Sequence, residues 1–173
     1  TVQLLGQDVT AWSQPRRARA GLGRSYQRTT IYPAFTVLEN CRLAAQARHP
    51  QRFSMWRRAK TLPGLREETD ELLRWTGLAG VEGAEAGSLS YGGQRLLDMG
   101  LSLGTRPRIL LLDEPLAGLA AAERGRVGDL IKSISEKIPV LLVEHDIDRV
   151  FQLADHVTVM NDGQVLVDGT VED

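Results

Sequence analysis

Residues 109–115 read Ile109-Leu110-Leu111-Leu112-Asp113-Glu114-Pro115. Four apolar side chains in succession, stopped by two acids and a proline, describe a short strand buried on both faces and ending in a turn. A second apolar run, residues 139–143, leads into Glu144-His145-Asp146. Residues 120–137, between them, carry a helical pattern. The order strand, helix, strand builds a parallel sheet packed against helices, so the expected fold class is α/β. Such sheets gather ligands at the carboxyl ends of their strands. Asp113, Glu114, Glu144 and His145 all fall at strand ends, and the two acids and the imidazole are expected to converge.

Further from this unit the pattern changes. Downstream, residues 146–154 read as a helix, and residues 157–160 pair with 164–167 across the Asn161-Asp162-Gly163 turn. Upstream, residues 90–104 read as a helix opened by Leu89-Ser90-Tyr91-Gly92-Gly93-Gln94. Residues 65–76 read as another helix, closed by Gly77. Apolar positions at helical spacing run through residues 36–48, with Thr36 as the N-cap. Residues 2–5 form a short strand entering a Gly6-Gln7-Asp8 turn, followed by an Arg-rich segment that ends in Gly21-Leu22-Gly23. From Asn40 through Arg66 there are seven Lys or Arg and no acid, with Phe53, Met55 and Trp56 interleaved. That patch is either a solvated basic loop over aromatic anchors or a contact for anionic lipid or a membrane partner.

Composition narrows the classes. A chain of 173 residues holds one core, and 42% hydrophobic with 25% charged residues is ordinary for a globular protein. A net charge of −1 makes no case for a nucleic-acid partner, and the basic patch has no matching nucleic-acid fold motif. One cysteine, Cys41, excludes an internal disulfide. No apolar run approaches the roughly 20 residues of a spanning helix. The chain begins at Thr1, in what reads as a strand, and is expected to be part of something longer.

The chemistry lies in a few side chains. A carboxylate at the end of a buried strand needs a partner or a cation, which points to Asp113 and Glu114. His145 can donate or accept near neutral pH. Gly92 and Gly93 let an anion approach backbone N–H groups where the helix dipole and the Ser90 hydroxyl favour negative charge. A phosphate-cradling G-x-x-x-x-G-K-[ST] loop is absent: the lysines are Lys60, Lys132 and Lys137, and Ile131 stands where Lys132-Ser133 would need glycine. Ser90 has no glycine two residues before it, which removes a nucleophile elbow.

Taken together, the Leu89–Gln94, Ile109–Pro115 and Val143–Asp146 stretches resemble the signature loop, Walker B strand and switch histidine of an ATP-binding cassette (ABC) ATPase. Gly23 to Thr29, followed by Phe35-Thr36-Val37-Leu38-Glu39-Asn40, resembles the family's Q-loop and the start of its helical subdomain. The resemblance covers nearly the whole chain and is nearest to cassettes of branched-chain amino-acid importers and their urea or amide relatives. It implies a P-loop NTPase-like parallel sheet with an inserted α-helical subdomain and the N-terminal part of the sheet missing. The implied parts are residues 1–30 (core strand and Q-loop), 31–104 (helical subdomain with signature) and 105–173 (Walker B and switch-histidine core).

The resemblance also implies roles. ATP and Mg²⁺ would be the cofactors, with Asp113 and Gln27 at the metal, Glu114 and His145 catalytic, and Ser90, Gly92 and Gly93 reaching the nucleotide of a second cassette. Implied partners are transmembrane permease subunits, a second ABC ATPase subunit and, indirectly, a solute-binding protein, at the cytoplasmic side of the membrane. On the family's L-S-G-G-Q, Tyr91 replaces the first glycine and Gly93 the glutamine; Leu101 stands where many relatives carry Arg, and Ala120 where Asp or Asn is usual. The main reading is an ATPase transport motor of which this chain is an incomplete copy. The alternatives are a Walker A-less subunit that lends its signature loop to a partner, and a cassette acting outside transport. Without the phosphate loop, the chain as given is expected to bind ATP weakly, and without the helix and strand that normally lie against Ile109 to Leu112 it is expected to expose apolar surface there.

Overall fold

A computed structural model describes residues 1–50, 52 and 62–171, and all structural statements concern those residues. The chain opens on a hairpin in which β1 (Gln3–Leu4) pairs antiparallel with β2 (Gln7–Asp8). Leu5 and Gly6 turn it at φ 51° and 79°, the two left-handed residues that a two-residue connection requires. Gln7 and Asp8, expected in a turn, are thus ladder residues. Part of the Arg-rich segment is helical, α1 (Gln14–Arg19), with Pro15 in its first turn.

The next element corrects the sequence reading. Residues that looked like the end of an Arg-rich stretch form β3 (Leu22–Ser25), a strand of the central sheet. Its glycine hides the strand pattern and has a packing cause: a Cβ on Gly23 would lie 2.8 Å from the Pro107 Cβ.

Three helices follow. α2 (Val37–Gln46) begins with a reciprocal cap, Glu39 N–H donating to Thr36 Oγ1 and Thr36 N–H to Glu39 Oε2, each at 3.1 Å. α3 (Leu65–Trp75) ends in left-handed Gly77, with Leu78 N–H donating to Leu73 O (2.9 Å) and Gly77 N–H to Arg74 O (3.1 Å). A 3₁₀ turn, Ala86–Ser88, leads to α4 (Tyr91–Gly104), where Ser90 Oγ accepts the Gly93 N–H. Of the basic aromatic patch, Phe53, Met55, Trp56, Arg57, Arg58 and Lys60 lie outside the described residues.

The remaining elements are β4 (Ile109–Asp113), α5 (Ala121–Ser135), β5 (Val140–Val143), α6 (Ile147–Leu153), β6 (His156–Asn161) and β7 (Gln164–Thr170). β3, β4 and β5 pair in that order, all parallel, with Ser25 opposite Leu112 and Asp113 opposite Val143. β6 and β7 form an antiparallel hairpin turned by Asp162 and Gly163 at φ 48° and 77°.

One contiguous core runs from α2 and α3 through α4 to β4 and α5, and includes Val37, Cys41, Leu97, Met99, Leu110, Val127 and Ile134. Leu110 and Leu112 point into it and are almost fully buried. Each contributes roughly 2–3 kcal/mol of apolar burial. The opposite face differs. Leu141 is 59% and Val143 54% exposed, so β5 is not covered on both faces as its all-apolar sequence suggested. The apolar surface expected at Ile109 to Leu112 is not exposed, since Leu110 and Leu112 are buried and Ile109 and Leu111 half-buried; the exposed apolar side chains are those of β5.

Candidate nucleotide site at the strand ends

Parallel register delivers three side chains to one edge. Gln27 follows β3 by two residues, Glu114 follows β4 by one and His145 follows β5 by two. Gln27 Nε2 donates to Glu114 Oε2 at 2.9 Å, and His145 Nδ1 lies 3.7 Å from Glu114 Oε1. The second distance is an ion-pair contact for a protonated imidazole and too long for a hydrogen bond. Glu114 thus stands between an amide and an imidazole, with its backbone at φ 43°, a left-handed conformation uncommon for a non-glycine residue. Its turn is held by the neighbouring strand end: Leu116 N–H donates to Glu144 Oε1 at 2.9 Å.

Asp113 has a different neighbour. Its carboxylate lies 3.5 Å from Arg24 Nη2, and the Arg24 guanidinium stacks on the Tyr26 ring at 4.5 Å. The Asp113 side chain is 40% exposed. The expectation that burial alone forces a partner on this acid is corrected: its location at the last residue of an edge-facing strand end leaves it in solvent.

The glycine-softened end of α4 is occupied by an acid from another helix. Glu123 Oε1 accepts from the Ser90 hydroxyl (2.7 Å) and from the Gly92 N–H (3.2 Å), and its Oε2 accepts the Ala120 N–H (3.4 Å). The Ser90 hydroxyl bond foremost, with the two backbone bonds and Arg126, holds the Glu123 carboxyl below the usual glutamate range. Gly92 permits this approach, since a Cβ there would lie 2.6 Å from Glu123 Cδ. Tyr91 is exposed, beside left-handed Gly118. Ser90, Gly92 and Gly93 therefore gather around Glu123, apart from the Gln27, Glu114 and His145 contacts.

In donor chemistry the strand-end cluster suits a hard divalent cation. Mg²⁺ takes one or two carboxylates and otherwise keeps water or phosphate oxygens. Asp113 supplies a carboxylate, and Gln27, whose amide nitrogen is engaged by Glu114, retains its amide oxygen. Among the described residues no group of three His, Cys, Asp or Glu is placed to hold a metal unaided.

The sequence profile of the ABC transporter family matches residues 1–117. The chain belongs to the ABC transporter ATPase family. It is 34% identical to the high-affinity branched-chain amino acid transport ATP-binding protein BraF of Pseudomonas aeruginosa, covering 99% of the chain and 70% of BraF. Likeness to LivG of Escherichia coli, of the same description, is 32% with the same two shares. Among solved structures, the ADP conformation of MJ1267, an ATP-binding cassette of an ABC transporter, aligns with a TM-score of 0.76 at 26% identity over 95% of the chain. That alignment spans 66% of the MJ1267 chain. A second MJ1267 structure gives 0.81 at 25% identity, covering 98% of the chain and 69% of its own length.

Against this cassette background, Glu144, placed at a strand end by the sequence, braces the turn after Glu114, and three residues that sequence reasoning gave no role organise the rest. Glu123 braces the start of α4, as described. The other two, Arg95 and Asp98 on α4, are each only 1% exposed. Arg95 donates to the main-chain oxygens of Tyr26 (2.6 Å), Asp113 (3.0 Å), Glu114 (2.9 Å) and Pro115 (3.2 Å). Asp98 accepts from the Ser25 hydroxyl (2.5 Å) and from Thr30 N–H and Oγ1 (2.8 and 2.9 Å). The available signal was a charge at i and another at i+3 within the otherwise apolar Leu96-Leu97-Met99 face of one helix.

Proposed function

We propose that this cassette is the ATP-binding subunit of an ABC importer, coupling ATP binding and hydrolysis to transport of branched-chain amino acids or related small polar solutes. The contact that carries this reading is the Gln27–Glu114 hydrogen bond with His145 beside it, at the shared edge of three parallel strands. A carboxylate between an amide and an imidazole can orient an attacking water and take its proton, while the imidazole reads the terminal phosphate. Asp113 and Gln27 would hold Mg²⁺, which when bound neutralises phosphate charge. Ser90, Gly92 and Gly93 would meet the nucleotide of a second cassette once Glu123 has moved aside.

The same reading supplies partners and place. Permease subunits and a second ATPase subunit assemble with the cassette, a solute-binding protein acts indirectly, and the complex lies at the cytoplasmic side of the membrane with no nucleic acid involved. Among the described residues no helix is long and apolar enough to cross a membrane. The division into residues 1–30, 31–104 and 105–173 accords with the order of the Gln27, Ser90 and Glu114 elements.

The test begins by reading the coding DNA upstream of Thr1 for G-x-x-x-x-G-K-[ST] and assaying the encoded protein for Mg²⁺-dependent ATP hydrolysis. Turnover that disappears in Glu114→Gln while nucleotide binding persists is the expected result. Absence of both the loop and hydrolysis would overturn the motor in favour of a subunit that lends its signature loop to a partner.

A further inference from the structure

We infer that Arg95 and Asp98 are positioning residues that fix the main chain on both sides of Gln27 and through Glu114, so that this pair moves with the signature end of α4. The role assumed for the pair rests on the function proposed above; the mechanical coupling does not.

The bonding pattern carries the inference. A buried guanidinium ordinarily finds a carboxylate. Arg95 instead directs its donors to four main-chain carbonyls of two other segments. Three belong to consecutive residues, Asp113, Glu114 and Pro115, which bracket the left-handed turn at Glu114. The fourth, Tyr26 O, immediately precedes Gln27. Planar fork geometry lets one Arg side chain meet several oxygens at once, which an ammonium cannot reproduce.

Asp98 completes the grip from the same helix. Ser25 lies two residues before Gln27 and Thr30 three residues after it, and both bond to the one carboxylate. Ser102, one turn further along α4, adds a bond from its hydroxyl to Arg24 O at 3.0 Å. Every recorded bond from these three α4 residues to another element ends on residues 24–30 or 113–115. The Gln27 and Glu114 side chains lie outside this buried network, which Glu114 joins through its carbonyl, and they bond to each other. The helix that begins at Ser90 therefore sets the distance between them.

The test uses the whole chain, ¹⁵N-labelled and free of nucleotide. Its readouts are the Gln27 side-chain amide resonance, the His145 imidazole titration and exchange of the Thr30 amide. Asp98→Ala should speed Thr30 exchange by about tenfold, the loss of one protecting hydrogen bond. It should also displace the Gln27 resonance and the His145 titration. Asp98→Asn, which keeps an oxygen for Thr30, should displace them less, and Arg95→Lys should move Gln27 and His145 without affecting Thr30 exchange.

Should Asp98 or Arg95 variants not fold, Thr30→Val and Ser102→Ala decide, since the first removes one bond to Asp98 and the second the bond to Arg24 O together with one to Asp98 O within α4. Faster Thr30 exchange with Gln27 and His145 signals unchanged in the folded variants overturns the proposal, because it leaves a purely structural grip. Loss of ATP hydrolysis in the encoded protein, with these signals moving as stated, would sink the proposed function and leave this coupling standing.

Discussion

Gln27 and Glu114, 87 positions apart, are joined side chain to side chain at 2.9 Å across the β3–β4 boundary. The bond fixes where the Glu114 carboxylate can meet water. Glu114→Gln should lower kcat of the encoded ATPase by about 10²–10⁴-fold, the usual contribution of a positioned base. Gln27→Ala, which removes only the orienting partner, should cost less. Steady-state ATPase assays at saturating nucleotide check the order; a Glu114→Gln enzyme within twofold of wild type contradicts it.

Glu123 makes the fold sensitive to acid in a defined direction. Its carboxyl titrates below the usual glutamate value because Ser90, Ala120 and Gly92 bond to the ionised form. A depressed folded value means the stabilisation is complete above the unfolded value, about 4.3, and is lost as pH falls through the folded one. Thermal melts of wild type and Glu123→Gln should therefore differ most at neutral pH and converge as pH falls through the lowered folded value. A gap that widens on acidification refutes the assignment.

Two helical glycines should respond oppositely to alanine. A Cβ on Gly104 of α4 would lie 2.6 Å from Ala44 Cβ and 3.0 Å from Leu72 Cδ1, while nothing lies within 4 Å of one on Gly125 of α5. Gly104→Ala should destabilise by about 1–3 kcal/mol through overpacking. Gly125→Ala should stabilise by about 0.5–1 kcal/mol by removing backbone freedom from the unfolded chain. Urea denaturation midpoints measure both, and equal shifts would show that the α2–α4 approach is looser than described.

The exposed side of β5 should govern association. Leu141 and Val143 stand out of the sheet, and Ile147 and Phe151 of α6 are exposed as well. Exposed apolar surface of this kind promotes association in isolation. Leu141→Lys with Val143→Thr should raise the soluble monomer fraction of the purified chain, read by sedimentation velocity. A wild-type chain that already sediments as a monomer at every concentration would count against this.

Much of this was legible in the chain and some was not, for physical reasons. The apolar runs before Asp113 and Glu144, the Thr36 cap and the Asp162-Gly163 turn are local signals, and each marks an element that exists. β3 escaped because Gly23 serves close packing against Pro107, a long-range demand without local pattern. The exposure of Leu141 also escaped, since an apolar side chain reads alike whether or not something covers it. Arg95 and Asp98 carried no local signal of their role, because their partners belong to segments distant in sequence.

Cys41 is fully buried, and burial pushes its thiol up to about 12, so it holds almost no thiolate at neutral pH. The native chain is consequently a silent background for thiol-directed probes. Reporter cysteines placed at exposed Tyr91, where α4 begins, and at exposed Arg28 in the loop after β3 could be labelled without first removing the natural one, and the spacing between those segments could be followed directly in solution.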